Sequence, residues 1–215
     1  PIFPCWKSYT SAMIGDHCTA SICDAILKGQ EGIDVGTAYE AMRKNAFEVA
    51  SEADYKDGKG RRALDSYLKY GYIPLEDGVP DAFHRNEQVS RTLEYAYDDF
   101  VLAQVAKKLG KTDDYHALIK RAHNYKYVID PSTGFARGRY ENGDFIKDFN
   151  PFDFASYICE GYPSHYTWYV PQDMFGLIDI LGGAQPFVAK LDTMFTGNYY
   201  WHGNEPGHHI AYLYA

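Results

Sequence analysis

Apolar positions along this chain recur mainly at the three-to-four-residue spacing of amphipathic helices. Between Ser8 and Leu27, Met13, Ile14, Ala20, Ile22, Ala25 and Ile26 give broad apolar coverage, and Gly29 follows as a stop. The spacing predicts a helix there, with Gly15-Asp16-His17 inside it, although a glycine within a helix costs about 1 kcal/mol relative to alanine. A second helix, capped by Asp34 or Thr37, is predicted to reach about Ala50 on the face of Ala38, Ala41, Met42, Phe47 and Val49. Arg61 to Tyr70 reads as a third, ending at Gly71. The clearest helix runs from Ser90 to Leu109 and is closed by Gly110. Thr112-Asp113-Asp114 opens the next, to about Tyr127, with acids in its first turn. So short a connection makes these two an antiparallel hairpin.

Asp130 to Phe154 loses the helical period. Asp130-Pro131-Ser132-Thr133-Gly134 and Glu141-Asn142-Gly143-Asp144 are turn signals around short aromatic runs, which predicts a β-hairpin-like excursion. Cys159 to Tyr169 is too broken by Gly and Pro for one regular element and too aromatic for an ordinary surface loop. Helices are predicted at Pro171 to Leu181, stopped by Gly182-Gly183, and at about Gln185 to Phe195. Last comes Gly203-Asn204-Glu205-Pro206-Gly207-His208-His209, where Pro206 is placed to open a helix into the apolar run Ile210 to Ala215. That run ends with no stop signal, which reads as a chain that continues. About seven helices, no internal repeat and no Gly- or Ser-rich linker make one all-α unit the expected fold.

Composition narrows the function. A net charge of -8 with scattered basic residues argues against nucleic acid, which needs clustered Lys and Arg. Tyrosines number 20, and aromatic rings with a polar tip suit hydroxyl-rich ligands such as sugars, though packing between helices accounts for them equally well. The four cysteines, Cys5, Cys18, Cys23 and Cys159, form no CxxC pattern and are expected to be buried thiols. No signal peptide and no membrane-length apolar run is present.

Several residues carry candidate chemistry. Asp16 and His17 could orient a ligand hydroxyl or could be a core histidine held by a carboxylate. Glu94 and Asp98, spaced i,i+4, share a helix face; acid/base or metal work, a solvated face, and capping contacts to neighbouring loops are all open. Glu160 stands ahead of an aromatic segment where desolvation would favour a protonated general acid, and Glu205 is the other candidate. A glycosidase needs two carboxyl groups, roughly 5 Å apart for retention and about 6.5–9.5 Å for inversion. His202, His208 and His209 raise a zinc site, but adjacent helical histidines diverge by ~100° and no HExxH is present. Asn204 and Glu205, as oxygen donors, suit calcium instead. No GxSxG or Cys-centred motif supports nucleophilic catalysis.

Taken in order, Pro4-Cys5-Trp6, Met13-Ile14-Gly15-Asp16-His17, Ser90-Arg91-Thr92-Leu93-Glu94-Tyr95-Ala96-Tyr97-Asp98-Asp99, Cys159-Glu160-Gly161 with Tyr166-Thr167-Trp168-Tyr169-Val170-Pro171, and Gly203-Asn204-Glu205-Pro206 with His208-His209-Ile210-Ala211-Tyr212-Leu213-Tyr214 resemble glycoside hydrolase family 92. The resemblance covers essentially the whole chain. It implies an inverting, calcium-dependent exo-α-mannosidase acting on mannose-containing glycans, secreted or periplasmic. The implied fold is part of a six-hairpin α/α toroid preceded by a β-sandwich domain. The same resemblance makes Glu160 the general acid, assigns Asn204 to the metal, and places Asp16, His17, Trp168, Glu205 and His208 at the sugar. It puts the general base beyond Ala215. Two departures stand out: Tyr162-Pro163-Ser164-His165 replaces the family's usual Asn-Ala-Trp-Gln, and Phe195 to Tyr200 is short.

Overall fold

The computed structural model describes residues 13–79 and 82–215, together with the backbone of two short strands before them. Cys5 and Trp6 lie outside the described residues. The strands, β1 (Ile2–Phe3) and β2 (Ser8–Tyr9), pair antiparallel with Ile2 opposite Tyr9, so the first helix does not begin at Ser8. α1 spans His17–Leu27, and Gly15 turns the chain ahead of it at φ +81°. Only glycine takes that angle without a Cβ clash, so the residue that would have weakened a helix sets its start instead.

α2 (Val35–Phe47) opens on Asp34, whose side chain accepts the Thr37 N–H at 3.1 Å and so satisfies one free donor of the first turn. A short α3 (Glu52–Lys56), which the periodicity did not signal, precedes α4 (Leu64–Tyr70). α4 starts later than predicted because Ala63 sits in left-handed backbone at φ +53° and Arg61 is drawn into a buried ion network. α5 (Gln88–Lys108) and α6 (Thr112–Arg121) form the predicted hairpin. The chain then tightens into a 3-10 turn, Asn124–Tyr127, and a two-residue ladder pairs β3 (Ile129–Asp130) with β4 (Phe135–Ala136).

A one-turn α7 (Pro163–Tyr166) leads to α8 (Met174–Ile180) and α9 (Ala184–Thr196). α8 begins inside the predicted range because Asp173 caps it, accepting the Gly176 N–H at 2.9 Å. The run after Pro206 does not become an α-helix. It makes two 3-10 turns, Glu205–Gly207 and Ile210–Tyr212, whose backbone bonds all close three residues back. Segments this short gain too few α-helical bonds to offset helix nucleation. The described residues are all-α apart from the two small ladders and one isolated bridge, Arg139 to Phe145.

α5 is the axis of the packing. Its first half adds Val89 and Leu93 to a core with Tyr125, Ile129, Tyr166, Leu177 and Leu191. Its second half adds Leu102, Val105 and Ala106 to another with Cys23, Ile26, Tyr39, Met42 and Leu118. Cys23 and Cys159 are buried free thiols and Cys18 is half-buried. Among the described residues no single helix is long and apolar enough to cross a membrane; α8 and α9 reach that length only together, across a 94° bend.

Candidate active site

A helix buried on most sides is expected to be apolar all round, yet α5 buries Arg91, Glu94, Asp98 and Asp99. Each acid has a partner. Asp99 receives Arg61 Nη1 at 2.6 Å, Arg121 Nε and Nη2 at 2.8 and 2.7 Å, and the Tyr67 hydroxyl at 3.2 Å. Asp98 Oδ2 accepts the Asp16 N–H at 2.7 Å, and burial pushes its carboxyl well above the usual carboxylate range. Glu94 Oε2 lies 3.0 Å from His17 Nε2, and that contact raises the half-exposed imidazole to about 9. Glu94 and Asp98 are therefore capping groups for the loop that starts α1, and the solvated-face reading of the pair does not hold.

Asp16 itself is buried. Its Oδ2 accepts the Thr19 hydroxyl at 2.8 Å, with Arg61 Nε and Asn45 Nδ2 farther off at 3.4 and 3.5 Å. Asp16 lines a cavity of about 310 Å³ between α1, α2 and residues Gly58 to Arg61; neither Glu160 nor Asn204 borders it.

The second part of the site joins two loops. Cys159 N–H donates to Ser90 Oγ at 2.9 Å, which ties the loop to the start of α5. Glu160 follows at φ +50°, with its side chain about half exposed. Its carbonyl accepts Asn204 Nδ2 at 3.1 Å, across 44 residues of sequence. With that nitrogen engaged, buried Asn204 keeps Oδ1 as an oxygen donor, and exposed Glu205 follows it. These donors suit calcium in kind, but calcium takes about six to eight oxygens, so they supply part of a shell. Among the described residues no three His, Cys, Asp or Glu side chains converge on one point.

The histidines of the last loop do not build the zinc alternative. His208 Nε2 donates to the His202 carbonyl at 3.0 Å with the two rings stacked at 4.4 Å, whereas His209 Nε2 donates to the Trp168 carbonyl at 2.7 Å. Burial lowers the His209 imidazole below its usual range. Trp168 is fully buried, its ring edge-on to Phe187 at 5.2 Å, so it is a core residue behind the loop and presents no face to a sugar in this chain. In the departing segment, His165 accepts the Tyr162 N–H at Nδ1 and donates from Nε2 to the Tyr199 carbonyl at 2.8 Å. The replaced residues thus bind the short Phe195 to Tyr200 connection to the acid loop.

Two features escaped the sequence. His84 stands 3.6 Å from the Glu160 carboxyl, and no local pattern marked it. The Arg61–Asp99–Arg121 network was foreshadowed only by charged residues inside a long helix.

Comparison with known proteins identifies the family. The chain is 44% identical to an α-mannosidase of family GH92 from Bacteroides thetaiotaomicron, with a TM-score of 0.81 over 94% of this chain and 26% of that one. A structure of that α-mannosidase in complex with mannoimidazole aligns at 40% identity and TM-score 0.80, covering 94% and 27%. A family GH92 inverting mannosidase of the same organism is 30% identical, TM-score 0.81, covering 95% and 30%. An uncharacterized secreted glycosidase of Arthroderma benhamiae is 30% identical over 97% of this chain and 29% of its own length. The chain thus spans less than a third of the relatives it matches. The profile of the glycosyl hydrolase family 92 catalytic domain matches residues 1–215, and the chain belongs to that family.

Proposed function

We propose that this chain forms part of the catalytic domain of an exo-acting α-mannosidase that releases terminal α-linked mannose from glycans with inversion. The observation that carries the reading is the Asn204 to Glu160 contact, which brings the two motif-bearing loops together in a chain whose relatives include α-mannosidases. Glu160, half exposed at the mouth of its loop, protonates the departing glycosidic oxygen. Inversion also requires a carboxylate to activate water on the opposite face of the sugar, and that base is expected beyond Ala215. Asn204 Oδ1 would be one ligand of a calcium ion, which would supply polarisation of the sugar when bound. His17, Glu205 and His208 are the exposed polar groups that meet the mannose hydroxyls, and buried Asp16, whose carboxylate accepts the Thr19 hydroxyl at 2.8 Å, orders the loop that carries His17. Trp168 supports the loop from behind. The secreted or periplasmic location, the six-hairpin toroid and a preceding β-sandwich domain belong to the same proposal; the Arthroderma relative, a secreted glycosidase, supports the first.

The test is Glu160→Gln in the full-length protein. Activity on an α-linked mannobiose should fall by about 10²- to 10⁴-fold, and far less on an aryl mannoside whose leaving group needs no proton. Equal activity of variant and wild type on mannobiose would overturn the assignment.

A further inference from the structure

The Glu160 side chain has little to fix it: its backbone lies in the left-handed region, its carbonyl is held by Asn204, and its carboxyl is about half exposed. Among the described residues its charged neighbour is His84, whose Nε2 lies 3.6 Å from Oε1. His84 is firmly held. Its Nδ1 faces Glu87 Oε1 at 3.2 Å, its carbonyl accepts Arg91 Nη2 at 3.2 Å, and its ring meets Phe83 edge-on at 5.0 Å. The Cys159 thiol also lies against the ring, 3.7 Å from Nε2. The buried ring thus stands between two carboxyl groups, Glu87 at Nδ1 and Glu160 nearest Nε2 at 3.6 Å.

We propose that His84 is a positioning residue for the general acid, an inference that rests on the mannosidase reading above. Glu87 fixes the ring through Nδ1–H, so Nε2 is aimed at one oxygen of Glu160. With Nδ1–H on Glu87 and Nε2–H on Oε1 the ring carries both protons, as the imidazolium, which leaves Oε2 as the oxygen that carries the proton toward the leaving group. When the glycosidic C–O bond breaks, that proton goes to the departing oxygen, and the carboxylate left behind keeps the Nε2–H on Oε1. His84 transfers no proton. At 3.6 Å the pair is longer than a hydrogen bond, as catalytic contacts commonly are before substrate binds, and it closes by a small side-chain movement.

The experiment uses the full-length protein, an α-linked mannobiose and a 2,4-dinitrophenyl α-mannoside, with thermal unfolding of each variant as the fold control. His84→Ala is expected to lower kcat/KM about tenfold on mannobiose and less than about twofold on the dinitrophenyl substrate. His84→Gln, whose amide N–H can still reach Oε1, should recover most of the loss. Glu87→Gln should give the same split at smaller size and serves if His84→Ala does not fold. Equal losses on both substrates, or no loss, would overturn the positioning role while leaving the mannosidase reading intact. A wild type inactive on both would overturn that reading and this role with it.

Discussion

Asp99→Asn is the most informative single perturbation of the scaffold beneath the site. Asp99 is fully buried and neutralises two arginines at once: Arg61, itself buried, and Arg121, which is bidentate at 2.7 and 2.8 Å. The asparagine keeps the shape and one acceptor oxygen. Its NH₂ then faces Arg121 Nε–H, a donor against a donor, and the anion between the two guanidinium groups is gone. Arg61 keeps only the 3.4 Å contact to Asp16 as a carboxylate ion pair. Leaving buried charge uncompensated costs about 3–5 kcal/mol, which for a unit of this size lowers the unfolding midpoint by about 6–20 °C. Because Arg61 also reaches Asp16 and Arg121 also holds the Ala46 carbonyl at 2.9 Å, the loss should propagate to the α1 loop and the end of α2. Urea unfolding followed by tryptophan fluorescence measures it, since Trp168 moves from a fully buried position to water. A loss under about 1 kcal/mol with unchanged m would refute the claim that this network holds the first helices to α5.

Two further outcomes follow from the site. The His17 imidazole is raised from 6.5 to about 9 by Glu94, so the stability it contributes is complete below about 6.5 and disappears as pH rises through about 9. The effect is small because the ring is half exposed; His17→Gln should flatten the pH dependence of unfolding free energy across that window, and an unchanged slope counts against the pair. Chelation of the full-length protein should abolish mannoside hydrolysis, and calcium, but not zinc, should restore it; full activity after exhaustive chelation would remove calcium from the mechanism.

Local signals explain what the sequence made legible. The α5–α6 hairpin follows from apolar periodicity and Gly110, and the α2 start follows from Asp34, because caps and helical faces involve residues within a few positions of each other. The start of α1 and the terminal run were misjudged for reasons outside that range. A strand pairing removed Ser8 and Tyr9 from the helix, and the last residues found only 3-10 bonding. Trp168 illustrates the same limit, since nothing adjacent in sequence tells a ring that packs on Phe187 from one that faces a cleft.

By itself the sequence determined the helical class, the family motifs and the identity of Glu160 and Asn204 as residues of interest, because composition, periodicity and motif order are one-dimensional properties. Only the tertiary structure decided that Glu94 and Asp98 are buried clamps on the α1 loop, that Asn204 reaches the Glu160 carbonyl, and that His84 stands behind the acid. The contacts of His17 with Glu94, Asp16 with Asp98, Asn204 with Glu160, and His84 with Cys159 beside the acid span 77, 82, 44 and 75 residues of the chain. Pairings at that separation are selected by the burial of whole helices against one another, and a buried charge then takes whichever partner the packing brings within reach.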